Sequence, residues 1–529
     1  MIYNCLIKES SRCDVRRSRR RILVPPLVRM RTSPISRWLV LFTVMMAFLP
    51  IVVDSTILHV AVPKLTLALN ASGTEVLWII DIYLLVMASL LIPMGTLADR
   101  VGHRRLMLTG MSIFGLSSLV GAFAPNAAVL IAARAIMAIG SAMVMPCTLA
   151  LIRQSFLDPK ERGFALGLWS AFAAAGAAFG PLIGGALLEY FWWGSVFLVN
   201  VPIVLAVIPL VMRVTPKTKI SSLAGWNLKD ALILMTAVMG LVYALKTGFK
   251  PGSSLAFSIA LFLAAGGLLY RFVRAQRNAA VPLFDFALIA QPAIRTGVIM
   301  ALVTMGALAG VELTLAQELQ FVIGLSPLQA GIFMVPLMVG AAIGGPFAGL
   351  LLARIGLRPV AVGALGVAAG CLFVLAGADF RDAGLGVTLT MAVLGVVLNV
   401  GLTASSVAIM NSTPTEKAGA AGALEATSYD LGSGLGITAF GLMVSSSYAK
   451  HIVWPEGVPA DPGASHSIGE TMSFASRLGT DAQIAVEYAA RHAFASAHHL
   501  TLTTAAALIA VLALVVFRQL REQGSRSVT

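Results

Sequence analysis

The chain is organised around the stretch Gly95-Thr96-Leu97-Ala98-Asp99-Arg100-Val101-Gly102-His103-Arg104-Arg105, which separates two long apolar segments. The segment before it covers residues 77–97 and the segment after it covers residues 106–123. Each is long enough to cross a bilayer as a helix, which takes about 20 residues. A short arginine-rich loop between two spanning helices is expected on the cytoplasmic side. The glycines allow a tight turn, and Asp99 stands beside cations with which it can pair.

The composition of the whole chain agrees with this interpretation. Of its 529 residues, 58% are hydrophobic and only 12% are charged, which is more apolar sequence than a soluble core requires. Lipid admits only helix bundles and closed barrels as spanning structures. The apolar segments are much longer than a barrel strand of about 10 residues, so the sequence predicts an all-α polytopic membrane protein.

Apolar segments of sufficient length predict about fourteen spans. Their approximate limits are residues 38–60, 76–97, 105–124, 127–150, 164–189, 195–213, 229–248, 254–273, 294–320, 327–353, 358–377, 384–410, 418–447 and 500–518. Arginines and lysines concentrate in alternate loops, which places these loops and both termini on the cytoplasmic side. The other short loops carry only Lys64, Lys246, Lys250 and Arg381.

A second copy of the opening stretch indicates an internal repeat. It reads Gly349-Leu350-Leu351-Leu352-Ala353-Arg354-Ile355-Gly356-Leu357-Arg358, and its arginines and glycine align with those of the first copy. The acidic Asp99 becomes Ala353. Repeated sets of helices around a central site are a common plan of secondary transporters. Because the repeat pairs the second span with the tenth, two extra spans, the seventh and eighth, lie between two six-helix halves.

These motifs resemble those of the major facilitator superfamily, from which the opening stretch departs mainly at His103. The offset of eight spans resembles the fourteen-span drug:proton antiporters of that superfamily. Residues 54–63 are similar to a first-span signature of drug exporters, and the likeness extends over residues 38–517. Within that superfamily, the chain resembles SmvA-type and QacA-type multidrug exporters. The resemblance implies a major facilitator fold of two six-helix bundles plus two extra central helices, with fourteen transmembrane helices.

The expected domain boundaries follow from the spans and the repeat. They are a basic cytoplasmic tail (1–37), an N-terminal six-helix bundle (38–213), a linker with helices 7 and 8 (214–290), a C-terminal six-helix bundle (291–520) containing an outer hairpin loop (448–499), and a cytoplasmic tail (521–529). The hairpin could lie over the outer entrance. Translation from Met30 would remove most of the basic tail and remains an alternative.

Acids inside the predicted spans are candidates for binding protons or cationic substrate. An ionisable side chain in lipid is costly unless it is paired or faces water, so it marks either a functional site or a structural ion pair. One carboxylate cannot hold a proton and a cation strongly at once, and this competition would couple efflux to proton entry. The candidate acids are Asp54, Asp81, Glu312, Glu425 and Asp430. Arg134 in the fourth span is expected to be the coupling arginine.

Three further groups of residues complete the expected site. The gate motif comprises Gly95, Asp99, Arg100, Gly102 and Arg104. The antiporter motif of the fifth span comprises Gly176, Gly180, Pro181, Gly184 and Gly185, for which simple small-residue helix packing is the alternative. Trp78, Tyr83 and Tyr429 are expected to be aromatic residues of the substrate cavity, where an aromatic face can bind a cation. Tyr429 and Glu425 share one helix face at a spacing of four residues.

The expected function is that of a proton-coupled multidrug antiporter that exports lipophilic organic cations. The resemblance implies quaternary ammonium biocides, dyes and methyl viologen as substrates. The alternatives are a facilitator-family transporter of another small metabolite and a non-transporting membrane regulator. An enzyme is not expected, because the sequence has no spaced metal-ligand set, nucleophile triad or nucleotide-binding loop, and its histidines are scattered or exposed.

The expected partners follow from the same arguments. They are lipophilic cationic small molecules, protons and membrane lipids, with no cofactor or metal and the proton gradient as the energy source. The net charge of +14 does not indicate nucleic-acid binding, because a basic tail and positive-inside loops account for it. We expect a monomer in the bacterial inner membrane.

Overall fold

The computed structural model describes residues 34–215, 228–248, 254–279, 286–381, 384–413, 418–458 and 463–526, and these residues are almost entirely helical. The helices are α1 (Pro34–Leu69), α2 (Gly73–Val101), α3 (His103–Ala122), α4 (Ala127–Ser155), α5 (Pro159–Tyr190), α6 (Ser195–Leu198), α7 (Asn200–Val214), α8 (Leu228–Gly248), α9 (Leu255–Asn278), α10 (Phe286–Ala290), α11 (Pro292–Gln317), α12 (Pro327–Ile355), α13 (Leu357–Ala376), α14 (Leu385–Asn411), α15 (Ala418–His451), α16 (Ile468–Ala475) and α17 (Thr480–Arg526). The expected all-α fold class is confirmed.

Parts of the predicted tails and linker cannot be compared with the structure. The described part of the chain excludes residues 1–33 of the basic tail, residues 216–227, 249–253 and 280–285 of the linker segment, residues 459–462 of the outer hairpin, and residues 527–529. Of the cations assigned to the outer loops, Lys250 falls there. The domain boundaries that depend on these residues stay predictions.

The two copies of the repeat have the same local structure. Helices α2 and α12 are each 29 residues long, and the helices that follow them, α3 and α13, are each 20 residues long. Ser72 and Ser326 are the N-cap residues of α2 and α12, and each forms a reciprocal capping box that satisfies two free N–H groups. Gly102 and Gly356 end α2 and α12 with φ angles of +96° and +83°, a left-handed conformation that favours glycine. The sequence repeat is therefore also a structural repeat.

The packing of the helices separates two halves. Helices α1–α7 form the N-terminal half and helices α11–α17 form the C-terminal half. Within the halves α5 packs on α1 and α15 packs on α11, while between the halves α5 packs on α12 and α15 packs on α2. Helices α8 and α9 pack on each other, and α8 lies against α2. The two extra helices are thus central in sequence but peripheral in space.

The long helices are compatible with the predicted number of spans. Among the described residues, 12 helices are long and apolar enough to cross a membrane, including the continuous Ser195–Val214 segment of α6 and α7. Helices α5 and α15, of 32 and 34 residues, are two further long helices that pack inside the halves. The count of fourteen spans stays a prediction, and the description of a multi-span membrane protein is confirmed.

The last helix differs from its predicted limits. Residues 480–499, expected to belong to an outer hairpin, form the first turns of the 47-residue helix α17. An apolar cluster that includes Phe321, Val322, Tyr448 and Phe494 continues the helix packing there, which explains why the helix extends past the predicted span. The short helix α16 packs against α1 and α17 at the same end of the bundle. We call this end the α16 face and the end that carries residues 100–105 the arginine face.

Candidate functional site

A cavity of about 300 Å³ lies between the two halves of the bundle. Its wall is formed by α1, α2 and α4 from one half and by α11, α12, α14 and α15 from the other. The wall is mostly apolar and includes Phe48, Met87, Met145, Met305 and Met338. Methionine side chains are flexible and polarisable, so such a wall adapts to apolar molecules of different shapes.

Two carboxylates give this central cavity its electrostatic character. Glu312 of α11 and Asp430 of α15 both line it, and no Lys or Arg is found among the described residues of the wall. Asp430 Oδ2 is buried and has no hydrogen-bond partner in the described part of the chain. A buried carboxylate without a partner is costly, and a bound proton or cation would remove that cost. Both acids were sequence candidates, and the structure brings them to one cavity.

A third titratable residue of the cavity, His59 of α1, was not among the candidate site residues. The expectation that the histidines are scattered or exposed is wrong for His59, which is 3% exposed and has its Nδ1 3.3 Å from Glu312 Oε2. A periodic apolar helix does not reveal whether one polar side chain faces a cavity or a packed core. The available signal was its position, five residues after Asp54 and inside a predicted span.

Asp54 lies away from the cavity, in a buried network within the N-terminal half. Arg134 donates to its carboxylate, and both side chains are at most 1% exposed. Arg134 Nε also donates to the carbonyl of Ile79 at 3.1 Å, and its guanidinium lies 4.2 Å from the ring centre of Tyr83. Asn200 Nδ2 lies 3.4 Å from Asp54 Oδ1. These contacts tie α1, α2, α4 and α7 together, and Asn200 escaped sequence analysis because an uncharged amide carries no distinctive signal.

Asp81 also has a buried cation as its partner. Lys246 Nζ of α8 lies 2.8 Å from Asp81 Oδ2, with both side chains at most 1% exposed. Thr438 of α15 donates to the same oxygen, and Lys246 Nζ lies 4.0 Å from the ring centre of Trp78. The assignment of Lys246 to an outer loop is wrong, because the lysine stays within the last turn of α8 and reaches a buried acid. Burial of this lysine is tolerated because the acid neutralises it.

Glu425 and Tyr429 interact as their spacing predicts. Tyr429 donates to Glu425 Oε1 at 2.8 Å, within α15. Neither side chain lines the central cavity. Glu425 lies close in sequence to Gly422, Ala423 and Ala426, which line a second cavity at the arginine face.

The three candidate aromatic residues do not line the central cavity. Trp78 packs against the Lys246 ammonium, Tyr83 against the Arg134 guanidinium, and Tyr429 bonds to an acid. Buried protein cations hold two of these rings, which explains why they are not free to face a substrate. Phe48 is the aromatic residue of the described cavity wall.

The gate motif surrounds a second cavity of about 560 Å³ at the arginine face. Gly95, Asp99 and His103 line this cavity together with residues of α4 and α15. Asp99 Oδ1 lies 3.3 Å from His103 Nε2, so its described charged partner is a histidine of its own loop. Arg104 donates to two carbonyls at the end of α7, while Arg100 is exposed. The motif thus fixes the local loop and leaves this face of the bundle open.

Contacts between the halves close the opposite, α16 face. Gln320 Nε2 donates to the carbonyl of Val60 at 3.0 Å, joining α1 to the π-helical turn after α11. The N–H of Gly73 donates to Glu470 Oε1 at 3.3 Å, joining α2 to α16. Burial raises the pKa of the Glu470 carboxyl above its ordinary value. The structure is therefore closed at the α16 face and open at the arginine face.

The antiporter motif allows close packing of α5 on both halves. Gly176, Gly180 and Gly184 lie against α1, and a Cβ on Gly180 would lie 3.0 Å from Thr56 Cβ. A Cβ on Gly185 would lie 2.6 Å from the carbonyl oxygen of Pro327 in α12. On the same helix face, the Pro181 carbonyl approaches Gly331 of α12. Small-residue packing is thus observed, and it includes the contact between the halves.

Two structurally repeated helical halves, a cavity between them and access from one face define a membrane transporter of the alternating-access type. The sequence model of the Major Facilitator Superfamily matches residues 40–437, and the chain belongs to this family.

Comparison with known proteins places the chain close to drug efflux proteins within the family. It is 45% identical over 493 residues to the methyl viologen resistance protein SmvA of Salmonella typhimurium, covering 93% of this chain and 99% of that protein. It is 34% identical over 496 residues to the multidrug efflux pump LfrA of Mycolicibacterium smegmatis, covering 92% and 96%. These relatives confirm the family that the sequence motifs indicate.

A solved structure supports the fold independently. A bacterial homologue of the human lysosomal transporter Spinster, in an inward-facing and occupied conformation, matches with a TM-score of 0.66. The match covers 93% of this chain and 98% of that chain at 17% sequence identity.

Proposed function

We propose that this protein is a proton-coupled antiporter that exports lipophilic organic cations across the bacterial inner membrane. The proposed substrates are quaternary ammonium biocides, dyes and methyl viologen. The main support for this proposal is the central cavity, which Glu312 and Asp430 line together with several methionines. An acid in an apolar cavity stabilises a cation that brings its own apolar surface. The drug-resistance and efflux names of the relatives support the same substrate class.

The path of the substrate follows from the two cavities. The positive-inside rule assigns the arginine face to the cytoplasm, so the structure corresponds to an inward-facing transporter. A cation would enter through the cavity beside Asp99 and pass Met145, which lines both cavities, to reach Glu312. Opening of the α16 face would then require α5 to separate from α12 and α15 from α2. The proton gradient supplies the energy, and we propose that one copy of the chain carries out the cycle.

The acids outside the cavity receive different proposed roles. Asp54, held by Arg134 and Asn200, is the proposed proton-coupling acid of the N-terminal half, and Arg134 is its coupling arginine. Asp81 is neutralised by Lys246 and is proposed to hold α8 in place. Glu425 is proposed to carry a proton or cation near the cytoplasmic cavity.

Dye efflux from a pump-deficient bacterial host tests the proposal. Cells that express the protein should export ethidium, and an uncoupler should stop the export. Asp430→Asn should lower efflux at least about tenfold, because the cavity then loses one of its two carboxylates. Glu318→Gln is the matched control, since Glu318 is a buried acid that does not line the cavity. Uncoupler-insensitive uptake of a neutral metabolite would support the facilitator alternative, and absence of any flux in proteoliposomes would support the regulator alternative.

A further inference from the structure

The pair formed by His59 and Glu312 places a basic side chain of this protein where a cationic substrate is expected to bind. His59 Nδ1 lies 3.3 Å from Glu312 Oε2, at the junction between α1 of one half and α11 of the other. Glu312 is 17% exposed at its side chain, so its carboxylate remains accessible from the cavity. Both ring nitrogens of His59 are buried, and neither makes a hydrogen bond within the described part of the chain, so the approach of Nδ1 to Glu312 is an ion-pair distance. The imidazole therefore has Glu312 as its one described polar contact.

The charges around His59 make this contact sensitive to protonation. The titratable groups that share the cavity wall with it are Glu312 of α11 and Asp430 of α15. The described wall residues from α2, α4, α12 and α14 are apolar or amide side chains. Asp54, on the same helix, is occupied by Arg134 away from the cavity. A proton on His59 thus meets two carboxylates and no opposing cation of the described wall.

We infer that His59 is the residue that exchanges a proton for the substrate cation: when protonated it occupies Glu312, and when neutral it leaves that carboxylate to the organic cation. This inference rests on the proposed function and deepens it by naming the site of competition. Histidine suits the role because it changes charge between about pH 5 and 8. The exchange conserves charge, since a monovalent cation enters as one proton leaves His59 for water.

The arrangement also makes the exchange dependent on the conformation of the transporter. His59 and Glu312 belong to different halves, and their contact lies on the side of the cavity nearer to the Gln320–Val60 hydrogen bond. Rocking of the halves would lengthen the distance between His59 and Glu312 as the α16 face opens. Separation from the carboxylate removes the stabilisation of the imidazolium. A change in the access of the cavity would therefore change whether His59 or the substrate cation is the partner of Glu312.

Binding of tetraphenylphosphonium to the purified full-length protein in detergent tests the inference. The wild-type protein should bind this cation more weakly as the pH falls, by up to roughly tenfold per unit once the histidine is protonated, and should release up to about one proton per bound cation. His59→Gln should bind with nearly the same affinity at about pH 5 and 8, with proton release reduced by the amount that His59 supplies. His59→Lys carries a permanent charge and should bind at least about tenfold more weakly than wild type at the alkaline end.

His498→Gln is the matched control, because His498 is a buried histidine of α17 that does not line the cavity. It should keep the wild-type pH profile and proton release. Unchanged proton release in a monodisperse His59→Gln protein overturns the inference, as does wild-type affinity in His59→Lys. Failure of the wild-type protein to bind any lipophilic cation at any pH overturns the proposed function itself. The two failures are therefore distinguishable.

Discussion

Lys246 of α8 lies 2.8 Å from Asp81 of α2, and both side chains are shielded from solvent. Thr438 of α15 donates to the same carboxylate, so one acid connects α8 to both halves of the transporter. Much of the surface of α8 and α9 faces outward, since only 22% and 17% of the residues in their most apolar stretches are buried. The buried ion pair is thus a specific attachment of a helix pair that has little other packing.

Removal of the lysine charge should therefore destabilise the protein. Lys246→Met keeps an unbranched side chain but leaves Asp81 buried without its cation, which typically costs about 3–5 kcal/mol. The expected result is a lower melting temperature in detergent. The double variant Asp81→Asn with Lys246→Met should recover part of the loss, because neither buried charge remains. Lys450→Met at an exposed position should change little. Equal melting temperatures for wild type and Lys246→Met would show that the pair does not hold α8.

Local sequence signals predicted the family and the fold, whereas side-chain placement required the structure. The glycines and charges around Gly102 and Gly356 act within one turn, so their pattern predicts both loops and the repeat. Lys246 was misplaced because only tertiary packing brings the end of α8 to Asp81. His59 was missed for a related reason: a rotation of about 100° per residue decides whether a helical side chain faces a cavity or a core.

Gly185 gives a prediction about access to the cavity. A Cβ at this position would meet the carbonyl of Pro327 at 2.6 Å, and that backbone of α12 cannot move aside alone. Gly185→Ala should therefore weaken closure of the α16 face and favour an outward-facing state. Maleimide labelling of a cysteine at Ser55, in the cavity wall, should rise several-fold from the α16 face. Gly363→Ala is the control, since a Cβ there meets no atom within 4 Å. Unchanged labelling would show that packing of α5 on α12 does not determine closure of the α16 face.

Glu470 predicts a pH-dependent closure of the same face. Burial raises the pKa of this acid, so the docked state of α16 binds a proton more tightly than the undocked state. Docking should then be most stable at low pH, and its stability should fall as the pH rises through the raised pKa. Hydrogen–deuterium exchange of residues 468–475, corrected for intrinsic pH effects, should show less protection at alkaline pH. Glu470→Gln should flatten this dependence, and a persistent dependence in that variant would assign it to another group.

The gate aspartate should affect turnover rather than substrate binding. Asp99 is 57% exposed and lies outside the central cavity, so Asp99→Asn should leave tetraphenylphosphonium affinity in detergent unchanged. Proton-driven efflux in vesicles should slow several-fold, because the face that is open here must close in each cycle and the acid is the expected cation partner there. Arg105→Gln, at an exposed position of the same loop, tests whether any loss of charge has this effect. Loss of substrate binding in Asp99→Asn would contradict the assignment to the gate.

Asp54 provides the most direct test of proton coupling. Asp54→Asn preserves the shape of the side chain but removes the acid that Arg134 and Asn200 hold. Proton-driven dye efflux in vesicles should fall to background, while exchange of labelled for unlabelled cation, which needs no net proton movement, should persist. Asn200→Ala is the matched variant, because it removes one hydrogen bond to Asp54 and keeps the carboxyl group. It should retain proton-driven efflux at a reduced rate. If Asp54→Asn inserts normally and still performs proton-driven efflux, the proton must be carried by other groups, of which His59 and Asp430 in the central cavity are the first to examine.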